Sequence, residues 1–433
     1  MKKIFKIYLF ILLFSLIFVS GQEVKGENKG QSQKINISPW AVSDLNDAGF
    51  YGIYPLDKIK AKADYKRIAD KEDLDTLYKF TKEKLGALGI SVKNENFIFK
   101  DFSRKEILSS INFLLNADDS FSQKIFFGSK KDDYLMVKIP LEEAISLYTR
   151  ATRIRINESG KAAKAFFYEA TKDGSKAYLL GSIHLGTNEM YPLKDEILKA
   201  FNESEILYFE IDLTDPDLQN FYDQEMFYKD EGSLKKDLGD DLYRRLEESL
   251  KKLNLNIKNL DKVRPWAIYS TLSMDHENKY GKALGVERYF LFLSEREGKE
   301  VGELENAQMQ SKLFTRLSTE TYKELIKNIL DELDKNSYKN INRGLYLMQK
   351  AWIQNDLKNF NNLIGTEASN EADNEYNKSI TDGRDEYMAK KIDEILREKK
   401  GRTIFVVIGA AHVAPENSVR RFLEDMGYNV SEK

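Results

Sequence analysis

Two stretches far apart in the chain share one local pattern, an apolar run that stops at a glycine and delivers a histidine three residues later. The first runs from Ala177 through Tyr178, Leu179 and Leu180 into Gly181-Ser182-Ile183-His184. The second runs from Thr403 through Ile404, Phe405, Val406, Val407 and Ile408 into Gly409-Ala410-Ala411-His412. A short, continuously apolar run ended by glycine reads as a buried parallel strand, and open α/β sheets collect ligands at the carboxyl ends of such strands. Each run therefore carries an imidazole to a candidate site. The chain has 3 histidines, and the remaining one, His276, has no such setting.

At 433 residues the chain is long for a single core, which favours two domains. Its 67 basic and 70 acidic residues leave a net charge of -3, with none of the basic excess that nucleic-acid binding requires, so nucleic acid is excluded as a partner class. Lys2, Lys3 and Lys6 precede the apolar run Ile7 to Val19, which is followed by the small residues Ser20 and Gly21. That layout is a signal peptide over residues 1–21, and it predicts a secreted or cell-envelope-associated protein outside the cytoplasmic membrane. An uncleaved segment would instead leave it membrane-anchored. The sequence contains 0 cysteines, so the exported fold has to be stable without disulfides. Residues 22–36, polar and poor in apolar side chains, read as a linker.

From 37 to 156 the periodicity is helical. Ser38 is a candidate N-cap with Pro39 in the first turn, and Trp40, Leu45 and Ala48 are spaced to share a buried side. A second helix is predicted from about Lys71 to Leu85, ended by Gly86, and two more begin near Ser103-Arg104 and Pro140-Leu141. Ser38-Pro39-Trp40-Ala41 and Pro140-Leu141-Glu142-Glu143-Ala144 resemble the starts of S-layer-homology repeats. That resemblance implies cell-wall polysaccharide as a partner of this module.

Beyond 157 the pattern becomes that of an α/β domain, a central sheet with paired strand-Gly-x-x-His units and a helical cap, preceded by the small all-α domain. Asp173-Gly174 between two apolar runs predicts a hairpin. Strand, histidine loop, helix and the apolar run Ile206 to Asp212 predict a βαβ-like unit. Val301 to Glu305 reads as a short strand, Gln308 to Leu333 and Ser337 to Phe360 as capping helices, and Tyr428-Asn429-Val430 as a last edge strand.

His184, His412 and the strand-borne Glu210 are the right donor types for a divalent transition metal, Mn, Co or Zn. With positions left open for water, the site would be catalytic and not structural. A histidine after a strand is also an ordinary loop or core residue, and Asp212 near Glu210 could simply cap the next segment. Arg384 opens a helix, where a cation is not favoured by the dipole. An inward role is therefore open to it, as is a surface pairing with Asp382 or Asp385. Trp266 reads as core.

Taken together, Gly181-Ser182-Ile183-His184, Phe209-Glu210-Ile211-Asp212, Arg264-Pro265-Trp266, Leu304-Glu305 with Gln310, Arg384 before Met388-Ala389, and Gly409-Ala410-Ala411-His412 resemble the TraB/PrgY/GumN family, which includes the Tiki metalloproteases. The resemblance spans about Ala162 to Tyr428. It implies an α/β fold and a metal-dependent hydrolase, peptidase-like, acting on a peptide or small-molecule substrate. In that reading His184, Glu210 and His412 hold the metal, Glu287 or Asp212 accepts a proton, and Arg384 stabilises an oxyanion. The family usually has Gly-Ile-Asp where this chain has Gly285-Val286-Glu287, and Arg-Asn where it has Arg384-Asp385. The alternative is a non-catalytic cell-envelope protein that sequesters a peptide or haem-like ligand in the same cleft.

Overall fold

A computed structural model describes residues 36–54, 64–126, 128, 131–212, 224–252, 255–273, 284–336, 339–364, 370–381, 383–398 and 401–433. The expected signal peptide, most of the linker and His276 lie outside these residues. The chain forms two units. Of the described residues, one contains 36–163 together with Asn188–Asp195, and the other contains those of Lys164–Thr187 and Glu196–Lys433.

The first unit is helical: α1 (Val42–Tyr51), α2 (Lys71–Ala87), α3 (Arg104–Leu115) and α4 (Leu141–Glu158) are its longest elements. Asp70 starts α2 with a capping box closed by Asp73, and the Ser103 hydroxyl caps α3 at the Glu106 amide. Helix α2 runs through Gly86 instead of ending there. Two expectations for the first helix need correction. Ser38 makes no side-chain cap; its own amide donates to the buried carboxylate of Glu142 at 2.8 Å. Trp40 is 50% exposed, because Pro39–Ala41 forms a tighter 3-10 turn, and the inward stripe is Ala41, Leu45 and Ala48. The buried Asp44 ties α1 to α4 through Arg150 at 2.7 Å. Asn188, although it follows the first histidine loop in sequence, donates to the carbonyls of Gly49 and Phe50 at the end of α1, at 3.0 and 2.8 Å.

The second unit is built on a six-stranded sheet of β1 (Phe166–Lys172), β2 (Ser175–Ser182), β3 (Ile206–Phe209), β4 (Glu300–Glu303), β5 (Thr403–Gly409) and β6 (Asn429–Glu432), in the order β4-β3-β5-β2-β1-β6. The hairpin β1–β2 turns on Asp173 and Gly174, both with positive φ (50° and 82°), as a two-residue turn of this twist requires. Strands β2, β5, β3 and β4 are parallel neighbours. The two histidine strands are therefore adjacent, with Ser182 opposite Gly409. The predicted βαβ unit is corrected in one respect: β3 does not pair with β2, because β5 inserts between them. Phe405 on β5 anchors the core, with ring centroids 5.0 Å from Phe290 and 5.7 Å from Phe201.

Helices of this unit include α5 (Asp195–Glu203), α6 (Pro265–Leu272), α7 (Val286–Glu297), α8 (Ala307–Thr315), α9 (Thr319–Asn336), α10 (Lys339–Gln354), α11 (Leu357–Ile364) and α12 (Arg384–Glu398). Trp266 on α6 is buried and stacks on Phe314, with centroids 4.9 Å apart. The cap helices are shorter than expected. Asn355, with φ 57°, separates α10 from α11.

Candidate functional site

Each of the four parallel strands places one polar residue just past its carboxyl end. His184 follows β2, His412 follows β5, Glu210 follows β3 and Glu305 follows β4. The β3–β4 ladder continues into the site, with the Glu305 amide donating to the Glu210 carbonyl at 2.7 Å. Two helix starts complete the cluster, Glu287 in the first turn of α7 and Arg384 at the head of α12. All of these side chains are wholly or almost wholly buried.

Gly409 is the hub. Its amide donates to Oε1 of Glu210 at 2.5 Å. A methyl group on its Cα would stand 3.1 Å from that oxygen, 3.6 Å from Nε2 of His184 and 3.6 Å from Cδ2 of His412. Only glycine leaves this space open, so the three expected donors are brought around one point on the backbone. A second close approach positions His184: Gly186 and Gly285 pack main chain to main chain, and a Cβ on Gly285 would lie 2.2 Å from the His184 carbonyl oxygen. That contact sets α7 against the histidine loop.

The two imidazoles are held alike. Nδ1 of His184 lies 2.6 Å from Oε1 of Glu287, and Nδ1 of His412 lies 2.6 Å from Oδ1 of Asp385. An acceptor on Nδ1 keeps the proton there and leaves the Nε2 lone pair available, the tautomer a metal takes. Ser182 also donates to Glu287, whose Oε2 is buried with no hydrogen-bond partner among the described residues. Burial opposes a charged His184, but the Glu287 carboxylate outweighs it and raises the histidine's pKa.

Arg384 crosses the cluster. Its guanidinium bonds Glu305 through Nε (2.8 Å) and Nη2 (2.7 Å), Glu210 through Nη2 (2.8 Å) and His412 Nε2 through Nη1 (3.0 Å). Burial alone would raise the Glu210 carboxyl, but Arg384 and the histidines hold it down, to about 2. Gln310 on α8 donates to Glu305 at 3.1 Å. The surface pairing considered for Arg384 is thus ruled out, since the residue is buried and faces inward. In this state its guanidinium donors are engaged by the two glutamates and His412. Glu287 sits behind His184 as an orienting carboxylate. Asp212 donates its amide to Glu303 at 3.1 Å.

Two nitrogen donors and one carboxylate, each nitrogen backed by a second carboxylate, match the chemistry of a divalent metal. Arg384 stands on the His412 lone pair, and His412 Nε2 is 3.9 Å from Glu210 Oε1. Among the described residues no cluster is drawn together at coordinating distance in this state. Sequence reasoning missed the roles of Gly409, Asp385 and Ser182. Their only signal was adjacency to the expected residues, which does not reveal where a side chain points.

Residues 166–432 match the model of the TraB/PrgY/gumN family. The chain is 25% identical over 299 residues to metalloprotease TIKI2 of Xenopus tropicalis, covering 59% of this chain and 57% of that protein. It is 22% identical over 327 residues to metalloprotease TIKI1 of Xenopus tropicalis (64% and 63%) and 23% identical over 321 residues to metalloprotease TIKI1 of Danio rerio (64% and 64%). The matches thus span 57% to 64% of the length of these relatives. No solved structure matches the chain. With the family model covering more than half of the sequence, and His184, Glu210, Glu305, Arg384 and His412 of its motifs gathered past the carboxyl ends of the strands, the chain belongs to the TraB/PrgY/gumN family.

Proposed function

We propose that this protein is a divalent-metal-dependent peptidase. The observation that carries the reading is the gathering of His184, Glu210 and His412 around the Cα of Gly409, with a carboxylate on the Nδ1 of each histidine that turns its Nε2 toward the site, where Arg384 meets that of His412 in this state. His184, Glu210 and His412 would hold the metal, which when bound supplies Lewis acidity toward a carbonyl and toward water. The chain's own contribution is to orient. Glu287 and Asp385 fix the two imidazoles, the Gly409 amide fixes Glu210, and Arg384 balances the charge of Glu210 and Glu305. Glu287 and Arg384 act in this scheme as positioning residues. The charged start and apolar run of residues 2–19 support a place outside the cytoplasmic membrane, and the helical unit is the candidate for contact with cell-wall polysaccharide.

The test is metal content and metal-induced thermal stabilisation, with Mn, Co and Zn, of His184→Ala, His412→Ala and His276→Ala, since a ligand bound only by the native state raises its melting temperature. The first two variants are expected to lose both, and His276→Ala to keep both. Equal uptake by all three variants and the unaltered protein would sink the shared site. The bond from Arg384 to His412 Nε2 favours a second reading, a metal-free binder of a peptide or haem-like ligand. Tight haem or peptide binding without metal uptake would select it.

A further inference from the structure

A glutamine on an apolar helix face is costly to bury unless its amide finds a partner, and α10 carries one. Leu345, Met348, Gln349 and Trp352 recur at helical spacing along α10, and all four are buried. The two polar members of that stripe direct their donors to the same stretch of chain. The Gln349 side chain donates to the Leu185 carbonyl at 2.7 Å, and the Trp352 indole donates to the Gly181 carbonyl at 2.6 Å. The donors sit within one turn of α10, and the carbonyls bracket His184, one before it and one after.

The two histidine loops are held differently. The second closes on itself. Ala410–His412 is a 3-10 turn, and the Val413 and Ala414 amides donate back to the Ala410 carbonyl at 3.1 and 2.8 Å. Arg420 then caps the carbonyls of Val413 (2.5 Å), Ala414 (3.1 Å) and Pro415 (3.0 Å), and Asn361 of α11 adds a bond to Ala414 at 3.3 Å. The stretch from Ile183 to Thr187 forms no helical turn of its own. Buried loop carbonyls need donors from elsewhere, and here α10 supplies them. The start of α7 adds the Val286 amide, which donates to the Ile183 carbonyl at 3.3 Å.

We propose that Gln349 and Trp352 are positioning residues for His184. They hold the backbone before and after that histidine, and with it the direction of Nε2, whereas His412 is set by its own turn. The effect on metal binding rests on the metal-dependent reading above; the effect on the imidazole does not, and the test separates the two. The full-length protein is labelled with 15N at its histidine rings, and the signals of its 3 histidines are assigned from the single alanine variants. Spectra taken in a chelator report the tautomer of each ring. Gln349→Met keeps the length of the side chain and removes its donor, and Trp352→Phe keeps an aromatic ring and removes the indole N–H.

In each variant His184 is expected to pass from the single Nδ1–H tautomer to a mixture, with shifted and broadened ring signals, while the His412 signals stay in place. The Kd for Mn, Co or Zn, read in competition with a chelating indicator, should rise about tenfold or more, as it does when an outer partner of a ligating histidine is lost. Unchanged His184 signals in both variants would overturn the proposal. So would an equal disturbance of His184 and His412, or loss of the folded His412 signals in both variants, since either would assign the two residues to general packing. If Trp352→Phe alone fails to fold, Gln349→Met decides. A change confined to His184 with metal held as tightly as before would keep the positioning role and remove His184 from the metal site. No metal uptake by the unaltered protein would remove the metal-dependent reading, and the chelator spectra would still decide the role of α10.

Discussion

The amide of Gly409 donates to Oε1 of Glu210 at 2.5 Å, joining the end of one histidine strand to the carboxylate of its neighbour. The bond exists because β5 lies between β2 and β3, with Val407 opposite Phe209, so that the chain leaving β5 passes directly over Glu210. It also explains why the second motif opens with glycine. Gly409→Ala would set a methyl group 3.1 Å from the Glu210 oxygen and 3.6 Å from His184 Nε2. The expected outcome is a folded protein with severely reduced metal uptake, measured by elemental analysis after dialysis beside a melting curve. Undiminished uptake would show that the space over Gly409 is not used.

Arg384 is the cation for two buried carboxylates. Arg384→Met leaves Glu210 and Glu305 without it, and should destabilise the metal-free protein by about 3–5 kcal/mol in urea unfolding. Arg384→Lys restores the charge but not the fork that meets both glutamates, so it should recover only part of the loss. Because a bound metal would also neutralise Glu210, added Mn or Zn should raise the melting temperature of Arg384→Met more than that of the unaltered protein. An equal rise in both would separate Arg384 from the metal site.

The carboxylates behind the histidines should behave as a pair. Removing such a partner costs roughly 10- to 100-fold in metal affinity, so Glu287→Ala and Asp385→Ala should each weaken binding by about that factor in competition with a chelating indicator. Asp385→Asn should weaken it less, since an amide oxygen still accepts from Nδ1. A full loss in Asp385→Asn would mean that the charge, and not the orientation of His412, is what matters.

Stability of the metal-free protein should depend on pH at both ends. Glu210 has a depressed pKa, about 2 against about 4.3 in an unfolded chain, so its contribution is complete above the unfolded value and is lost as pH falls through that window. His184 has a raised pKa, so its contribution is present below about 6.5 and is lost as pH rises through the folded value. Urea midpoints taken in a chelator across this range should pass through a maximum between the two. Glu287→Gln should flatten the alkaline side alone. A flat profile from acid to neutral pH would show that neither group is coupled to folding.

The residues alone determined a good deal. Apolar runs ended by glycine identified β2 and β5, Asp173-Gly174 identified the hairpin, and the pairing of two Gly-x-x-His motifs with Glu210 picked out three of the buried residues that meet at the sheet edge. These are local signals, in which period, turn chemistry and strand length are written into consecutive residues. What only the tertiary structure decided was order and direction. That β5 enters between β2 and β3 depends on a strand arriving more than 190 residues after Phe209, and no local pattern encodes its neighbour. That Arg384 reaches Glu305, Glu210 and His412, and that Glu287 and Asp385 face Nδ1 atoms, follows from how α7 and α12 are set against the sheet. Trp40 shows the same limit on a smaller scale. Its spacing suggested burial, but a single 3-10 turn rotated it into solvent. Periodicity reports which face is apolar, whereas the packing of distant elements decides which atoms meet.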